Sequence, residues 1–453
     1  MEHVTKVGGG DDLKAAAYPD PRYGYYVTFI LLLAYTLSFV DRQILSFMVD
    51  PVKRDLQLSD TSISLLHGFA FSLFYTAVGL FLGRAADRLN RRRLMIAGVS
   101  LWCAATVACG FADSYAELFA GRMLVGVGEA ALSPAAYSLL SDYFSEEKRA
   151  RPIGLYSAGV YIGSGLAFMV GGAVVEAASH AGNVSLGVLG DFRPWQLAFI
   201  IVGLPGLLMV LLLLTVKEAT RKDLGGGDPG LAFFRDNARF YLPAILGFAI
   251  LAIVTFAFTA WIPAAFARTW GWSPARIGLA YGATMLLAGG GGMIFAGWLA
   301  DHQLKRDRVD APIRLSLIAA LAAIPIGGGL AFAASPVAAM TLVGITTFLV
   351  SVPIALAPVA FQNVTPNRLR GQATALYLLM VNLIGMGCGP TLVALVTDVG
   401  FRDESKVLLS VSIVGASSMV LAAALIGLAV RPYRSLHRAR AEAMKIVRYP
   451  LAE

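Results

Sequence analysis

Four charged side chains stand out because they lie inside long apolar stretches of the sequence. Asp41 and Arg42 follow FILLLAYTLSFV, and Arg122 and Glu129 lie within GRMLVGVGEAALSP. A charge at the centre of a membrane helix costs about 2.5–3.5 kcal/mol on insertion scales, so it persists where it has a partner or a purpose. A buried carboxylate that gains and loses an arginine partner also changes its affinity for protons. The pattern predicts that Asp41 and Glu129 bind protons, with Arg42 and Arg122 as charge partners.

Helical geometry predicts which of these four residues share a face. Arg122 and Glu129 are seven positions apart, or two turns, and therefore point to the same side. At a rise of ~1.5 Å per residue, Asp41, Arg42 and Arg122 lie roughly 9–12 Å from the outer helix ends, and Glu129 roughly 20 Å, near the midplane. Asp41 is expected to pair with Arg42 or Arg122, whereas Glu129 has no obvious partner. The alternative is a static staple between the first and fourth helices, because buried pairs can be purely structural.

Further polar and aromatic residues are predicted to line a central cavity around these charges. Arg42 can hold a phosphate or carboxylate in a charge-assisted pair. Side chains from the second half of the chain would form an apolar wall opposite this charged pole, which would suit an amphipathic anion. The alternative for each of them is ordinary packing between helices. The predicted lining residues are Tyr35, Ser38, Ser133, Tyr137, Phe256, Trp261, Tyr377, Met380 and Asn382.

The composition around these residues is that of a membrane protein. Of the 453 residues, 57% are hydrophobic and 15% are charged, whereas soluble domains carry about 25% charged residues. A membrane helix needs about 20 mostly apolar residues. The sequence therefore predicts an all-α membrane protein with twelve transmembrane helices, at 25–49, 63–83, 94–112, 116–140, 153–176, 195–216, 240–266, 276–299, 312–333, 337–362, 372–396 and 406–430.

Lysine and arginine are distributed unequally between the two sides of this predicted membrane. With both termini on one side, that side collects 28 of the 37 basic residues and the other side seven, while Arg42 and Arg122 lie inside helices. Because basic loops stay in the cytoplasm, we expect both termini to be cytoplasmic in a multi-pass inner-membrane protein. The loop charges also account for the net charge of +8 without a nucleic-acid partner.

The chain is predicted to divide into two pseudo-symmetric six-helix bundles. Gly83-x-x-x-Asp87 ends the second predicted span, and Gly297-x-x-x-Asp301 ends the eighth, six spans later. Parallel halves with a midplane site describe one large class of transporters. The basic tail is interpreted as an interfacial helix on anionic lipid or as a partly disordered segment. The predicted parts are a cytoplasmic N-terminal segment (1–24), a first bundle (25–216), a Gly-rich cytoplasmic linker (217–239), a second bundle (240–430) and the basic cytoplasmic tail (431–453).

The string GRAADRLNRRR, from Gly83 to Arg93, resembles the signature of the major facilitator superfamily, G-x-x-x-D-R-x-G-R-R, with asparagine in place of the second glycine. The resemblance implies two bundles that alternate access to a central site. It also implies a cytoplasmic gate, in which the helix-2 aspartate faces a helix N-terminus of the other half and Arg91 pairs with Asp142. The predicted gate residues are Gly83, Asp87, Arg88, Arg91 and Asp142.

Within this superfamily the sequence resembles the Spinster family. The similarity lies in SFVDRQILSFMVDPVKRDLQLSD (38–60), GVGEAALSPAAYSLLSDYF (126–144) and FRPWQLAFIIVGLPGLL (192–208). It covers most of the N-terminal half specifically and the C-terminal half only generically. The resemblance implies that the buried acidic residues sense protons. It also implies a lysophospholipid or a sphingosine-type lipid as the substrate.

These observations together predict a secondary active transporter that is proton-coupled and moves an amphipathic lipid. A proton-coupled carrier of small organic anions or drugs is the alternative. The sequence has no nucleotide-binding, hydrolase or metalloprotease motif, and its three cysteines show no metal spacing. We therefore expect no enzymatic activity, no cofactor and no metal. The expected partners are the substrate, protons and the lipid bilayer, and the chain is expected to act as a monomer.

Overall fold

The computed structural model describes residues 19–144, 150–181, 183–185, 191–220, 231–304, 306, 308–366 and 369–448. In this part of the chain, twelve helices are long and apolar enough to cross a membrane, which confirms the predicted number. They are α1 (Pro21–Phe47), α2 (Asp60–Gly79), α3 (Arg91–Cys109), α4 (Tyr115–Tyr143), α5 (Gly159–His180), α6 (Pro194–Leu214), α7 (Ala238–Trp270), α8 (Pro274–Ala300), α9 (Ala311–Phe332), α10 (Pro336–Val364), α11 (Gln372–Phe401) and α12 (Glu404–Arg440).

Several helices extend beyond these spans, and short elements connect them. The helix of α2 continues to Arg88, that of α5 begins at Ala150, and that of α12 continues to Arg448. The basic tail therefore continues the last membrane helix at least that far. The short elements are the helices Val49–Leu56 and Leu231–Asp236 and an antiparallel pair of strands, β1 (Val184–Ser185) and β2 (Asp191–Phe192).

Local sequence signals set where these helices begin. Proline occupies one of the first two positions of α1, α6, α8, α9 and α10, where its missing N–H costs nothing. The hydroxyl of Ser114 accepts a hydrogen bond from the Glu117 N–H, and the Glu117 carboxylate accepts one from the Ser114 N–H, which caps α4. Gly271 ends α7 with a φ of +62°, a left-handed conformation that glycine adopts without strain.

The two halves, α1–α6 and α7–α12, pack together on one side of the membrane. We name the side that carries the linker 217–239 the linker side, and the opposite side the distal side. One hydrophobic cluster on the distal side contains residues of both halves, such as Phe47, Trp195, Trp261 and Phe266. On the linker side, one cluster belongs almost wholly to the first half and another wholly to the second. The described packing is therefore continuous between the halves on the distal side.

Close contacts between the halves involve α2 with α11 and α5 with α8. A methyl group on Gly172 of α5 would lie 2.3 Å from the carbonyl oxygen of Pro274, so this approach requires glycine. Turns of π-helix interrupt three of these four helices, at Leu65–Phe69, Met285–Gly289 and Val381–Met386. Such turns are rare and occur frequently at functional sites.

Glycine also sets the packing beside Glu129, which ends the first segment of α4 (Tyr115–Glu129) before a second one (Leu132–Tyr143). A methyl group on Gly98 of α3 would lie 2.6 Å from the carbonyl oxygen of Gly128 and 2.7 Å from the Ala131 side chain. Helix α3 can therefore approach the break in α4 only because position 98 has no side chain.

We expect Gly98→Ala to lower the free energy of unfolding by about 1–3 kcal/mol, because the added methyl overpacks this contact. Gly291→Ala in α8 is the matched control, since a methyl there meets nothing within 4 Å. The control should be neutral or slightly stabilising, as alanine favours helix. Thermal unfolding of the purified variants in detergent measures both effects, and equal midpoints would contradict this account of the packing.

Candidate functional site

The predicted charges form two ion pairs between α1 and α4. The Arg42 Nε donates to Glu129 Oε2 at 2.5 Å, and the Glu129 side chain is fully buried. The Arg122 guanidinium lies 3.3 Å from Asp41 Oδ1, and both side chains are almost fully buried. Glu129, which had no obvious partner in the sequence, is thus paired with Arg42. The four charges sum to zero, as burial in a low-dielectric interior requires.

Neighbouring helices hold each pair in place. The Thr106 hydroxyl of α3 donates to Asp41, and the Arg122 guanidinium carbon lies 5.7 Å from the centre of the Phe71 ring on α2. Arg42 has three aromatic neighbours, with ring centres 4.7 Å away for Phe71, 5.0 Å for Tyr75 and 5.3 Å for Phe39. Rings of this kind stabilise a desolvated cation through their negative faces. Thr106, Phe71 and Tyr75 were not predicted, because a single threonine or aromatic residue in a span carries no distinguishing signal.

A small cavity between the halves adjoins the two arginines. Its volume of about 20 Å³ has room for roughly one water molecule. The first half contributes mainly polar side chains to its wall, and the second half contributes mainly apolar ones. The lining residues are Phe39, Arg42, Gln43, His67 and Arg122 from the first half and Phe256, Thr259, Met386 and Pro390 from the second.

Tyrosines of the first half form a second group near Arg42. Tyr35 stacks on Tyr156 with ring centres 4.8 Å apart, and Tyr137 meets Tyr156 edge-on at 5.1 Å. The Ser133 hydroxyl lies 3.2 Å from the Tyr156 hydroxyl. Three predicted lining residues, Tyr35, Ser133 and Tyr137, therefore lie together on α1 and α4, around an α5 tyrosine that was not predicted.

The other predicted lining residues pack within the protein in this structure. The Ser38 hydroxyl donates to the Tyr35 carbonyl, and the buried Trp261 donates its indole N–H to the Pro390 carbonyl at 2.9 Å. Tyr377 packs against Phe248 and Phe361. Met380 packs against the same linker-side cluster of the second half, and Asn382 is half-buried in the π-helical turn of α11. The apolar or aromatic character of Trp261, Tyr377 and Met380 fits packing as well as it fits a cavity.

The predicted Arg91–Asp142 pair is present on the linker side. Arg91 is fully buried and donates to Asp142, to Glu218 Oε1 at 2.7 Å and to the Ala219 carbonyl at 2.6 Å. The pair therefore connects α3, α4 and the first residues of the linker, all attached to the first half. Three other predicted gate residues lie on the helical extension of α2, and their side-chain surroundings are outside the described structure: Gly83, Asp87 and Arg88.

An ion-pair network on the distal side joins the two halves and was not predicted. Arg268 of α7 binds Asp50 and Asp60 of the first half, both at 2.6 Å. Lys53 binds Asp60 at 2.5 Å and also Glu404 of the second half at 2.7 Å. In the sequence, Arg268 and Lys53 are only two of the seven basic residues assigned to the side opposite the termini. The acidic residues near them at helix ends were the sequence signal that could have indicated these ion pairs.

Further hydrogen bonds between the halves lie on the same side. Asp398 of α11 accepts from the N–H and the hydroxyl of Thr61, both at 2.7 Å. Glu176 of α5 accepts from the Ala275 N–H, and the Ser46 hydroxyl donates to the Thr259 carbonyl. Polar contacts between described side chains of the two halves are therefore concentrated on the distal side, where the shared hydrophobic cluster also lies.

The sequence matches a family model described as the Major Facilitator Superfamily over residues 31–390. An MFS-type efflux pump of Mycolicibacterium smegmatis is 28% identical over 63% of this chain and 65% of the pump. Protein spinster of Drosophila melanogaster is 23% identical, covering 85% of this chain and 64% of that protein. Spinster homolog 3 of Danio rerio is 28% identical, covering 83% and 77%. The chain thus spans slightly under two thirds of the length of the first two relatives.

Solved structures show the same fold. A bacterial homologue of the human lysosomal transporter Spinster, in an inward-facing and unoccupied conformation, matches with a TM-score of 0.74 and 26% identity over 93% of this chain and 98% of that one. A D-xylose–proton symporter matches with a TM-score of 0.66 at 16% identity, which shows the fold alone. Family, fold and relatives agree with the resemblance seen in the sequence: the chain belongs to the major facilitator superfamily, and within it the chain is similar to transporters of the Spinster type.

Proposed function

We propose that the protein is a proton-coupled carrier of an amphipathic lipid anion, with the Arg42–Glu129 pair at the centre of its mechanism. The observation that carries this proposal is that pair, which is largely buried, neutral overall and next to a cavity between the two halves. One guanidinium faces one carboxylate, so an incoming anion must compete with Glu129 for Arg42.

The competition itself supplies the coupling. An anionic headgroup that binds Arg42 leaves Glu129 without a partner in a low-dielectric site, where the charged carboxylate is disfavoured. Glu129 then takes up a proton, and the site stays neutral with one anion and one proton bound. The exchange at Arg42 and Glu129 therefore carries one proton with each anion. Asp41, beside Arg122 and Thr106, serves as a second site that can bind a proton.

A lysophospholipid or sphingosine-type lipid is the substrate class that the Spinster resemblance implies, and the cavity wall supports it. The charged side comes from the first half, and Phe256, Met386 and Pro390 supply apolar surface from the second. The M. smegmatis efflux pump among the relatives favours a second candidate, a carrier of small organic anions or drugs. Comparing the flux of a lysolipid with the flux of a small organic anion in the same proteoliposomes distinguishes the two candidate functions.

The distribution of basic residues supports a membrane orientation for this cycle. The linker side carries 28 of the 37 lysines and arginines, so we place it in the cytoplasm and the protein in the plasma membrane. The structure is then closed towards the outside by the ion pairs that Arg268 and Lys53 form with Asp50, Asp60 and Glu404, which we call the Arg268 network. On the cytoplasmic side, Gly83, Asp87 and Arg88 form the gate, and the Arg91–Asp142 pair holds the helix ends that carry it.

We expect Glu129→Gln to abolish the effect of a pH gradient on lysolipid flux, because the amide cannot take up the proton. Proteoliposomes loaded with lysophospholipid, assayed with and without a gradient, measure this effect. Glu117→Gln is the matched control on the same helix, since Glu117 only caps its distal end. Stimulation by the gradient that persists in Glu129→Gln would refute the coupling role.

Variants of the Arg42–Glu129 pair should separate its contribution to stability from its contribution to transport. Arg42→Gln leaves Glu129 buried without its partner and should cost up to about 3–5 kcal/mol of stability. The double variant Arg42→Gln/Glu129→Gln removes both charges and should regain most of that stability while flux remains at least about tenfold below the wild type. Thermal unfolding and flux are measured on the same preparations. Recovery of flux in the double variant would show that the pair is only a structural staple.

Arg268→Ala should favour opening of the distal side, because it removes the cation that bridges Asp50 and Asp60. Spin labels attached through Arg54→Cys and Ser405→Cys, in a background without native cysteines, report the distance between the halves there. We expect a larger population at long distances than in the parent. Arg276→Ala is the control, since Arg276 stacks on Trp272 of its own half. Unchanged distances in Arg268→Ala would exclude the network as a gate.

A further inference from the structure

Three polar atoms around the central cavity make no hydrogen bond within the described structure. They are Gln43 Oε1, His67 Nδ1 and Arg122 Nε. All three side chains line the cavity, and those of Gln43 and Arg122 are at least nine-tenths buried. Buried polar atoms without partners are rare in folded proteins, and each one asks for an explanation. Three of them around one cavity indicate a site for a ligand group.

The position of the cavity places this site at the end of the substrate path. Gln43 follows Arg42 on α1 towards the distal side, and His67 lies in the π-helical turn of α2. The Ser46–Thr259 hydrogen bond and the distal hydrophobic cluster close the structure beyond it. A molecule that enters from the linker side and places its anion on Arg42 would therefore extend its headgroup towards Gln43 and His67.

The three atoms differ in hydrogen-bonding character, which defines the matching group. The Arg122 Nε–H is a donor, Gln43 Oε1 is an acceptor, and the His67 Nδ1 is either one according to its tautomer. A hydroxyl both accepts and donates, so it can satisfy the arginine and the glutamine together. A carboxylate or phosphate oxygen cannot donate to Gln43 Oε1, and an alkyl group can satisfy none of the three. The cavity volume of about 20 Å³ also fits a group as small as a hydroxyl.

We propose that Gln43, His67 and Arg122 form a hydroxyl-sized subsite that recognises a hydroxyl group carried by the substrate beyond its anionic group. This proposal rests on the proposed function, because it assumes that Arg42 binds the substrate anion. It adds headgroup specificity: among lipids of equal charge, those with a headgroup hydroxyl bind more tightly.

Two lipids of equal charge and chain length test the subsite. Lysophosphatidylglycerol carries headgroup hydroxyls, and lysophosphatidylpropanol lacks them. In proteoliposomes, the wild type should transport the first at least about tenfold more efficiently, since a site built to bind a hydroxyl rejects an analogue without one. Gln43→Leu should reduce this preference to about twofold or less while transport of the propanol lipid continues.

The matched control is Ser72→Ala on α2. The Ser72 hydroxyl is also buried without a partner in the described structure, but it does not line the cavity. This variant should keep the full preference for lysophosphatidylglycerol. Equal transport of both lipids by the wild type, or a preference unchanged in Gln43→Leu, would overturn the subsite and leave the carrier function standing.

A binding measurement separates failure of the subsite from failure of the proposed function. If neither lipid is transported, the lipid-carrier proposal fails. The subsite is then tested by binding, measured as the thermal stabilisation that each lipid gives to the detergent-solubilised protein. Greater stabilisation by lysophosphatidylglycerol in the wild type and in Ser72→Ala, lost in Gln43→Leu, supports it. Equal stabilisation by the two lipids in the wild type overturns it.

Discussion

The cost of placing charge in a low-dielectric interior governs the centre of this protein. Asp41, Arg42, Arg122 and Glu129 are tolerated there because each has an opposite charge within reach and the group is neutral overall. The same cost makes the pairs suitable for transport. Any event that takes one partner away must be balanced by another ion, either a substrate anion or a proton. Neutrality thus lowers the cost of burying these four charges and, on our proposal, is the source of coupling.

The two sides of the membrane use different means to hold the halves. On the distal side, ion pairs around Arg268 lie over a continuous hydrophobic cluster that includes both halves. On the linker side, Arg91 directs its hydrogen bonds to α4 and to the linker, both attached to the first half. The side chains of Arg268, Lys53 and Asp60 are at least nine-tenths buried, so separating them would leave charge without a partner in a dry site. Opening would also expose the apolar surface of the cluster. Ion pairs and hydrophobic contact therefore both oppose opening of the distal side.

Much of the fold follows from the sequence alone. Twelve apolar runs were sufficient to place twelve helices, because a span must be apolar over about 20 residues whatever surrounds it. The four buried charges were identified for the same reason. Of their partners, Arg122 was one of the two residues expected to pair with Asp41, and the structure pairs them. Arg42 was not identified as the partner of Glu129, because that pair depends on how α1 and α4 are rotated against each other. The ion pairs of Arg268 were not predicted either, since its acidic partners lie up to 218 residues away in the chain.

The anchoring of the linker by Arg91 has a mechanical consequence. Glu218 and Ala219 are held against the first half, the Lys217 carbonyl accepts a hydrogen bond from Tyr143, and on the other side Phe233 and Phe234 pack on Tyr241 of α7. The described anchors of the linker thus end at Ala219 and resume at the helix Leu231–Asp236, with the 11 residues 220–230 between them. A chain of that length spans at most about 40 Å when fully extended. On our proposal of alternating access, this length sets an upper limit on how far the two anchoring points can separate.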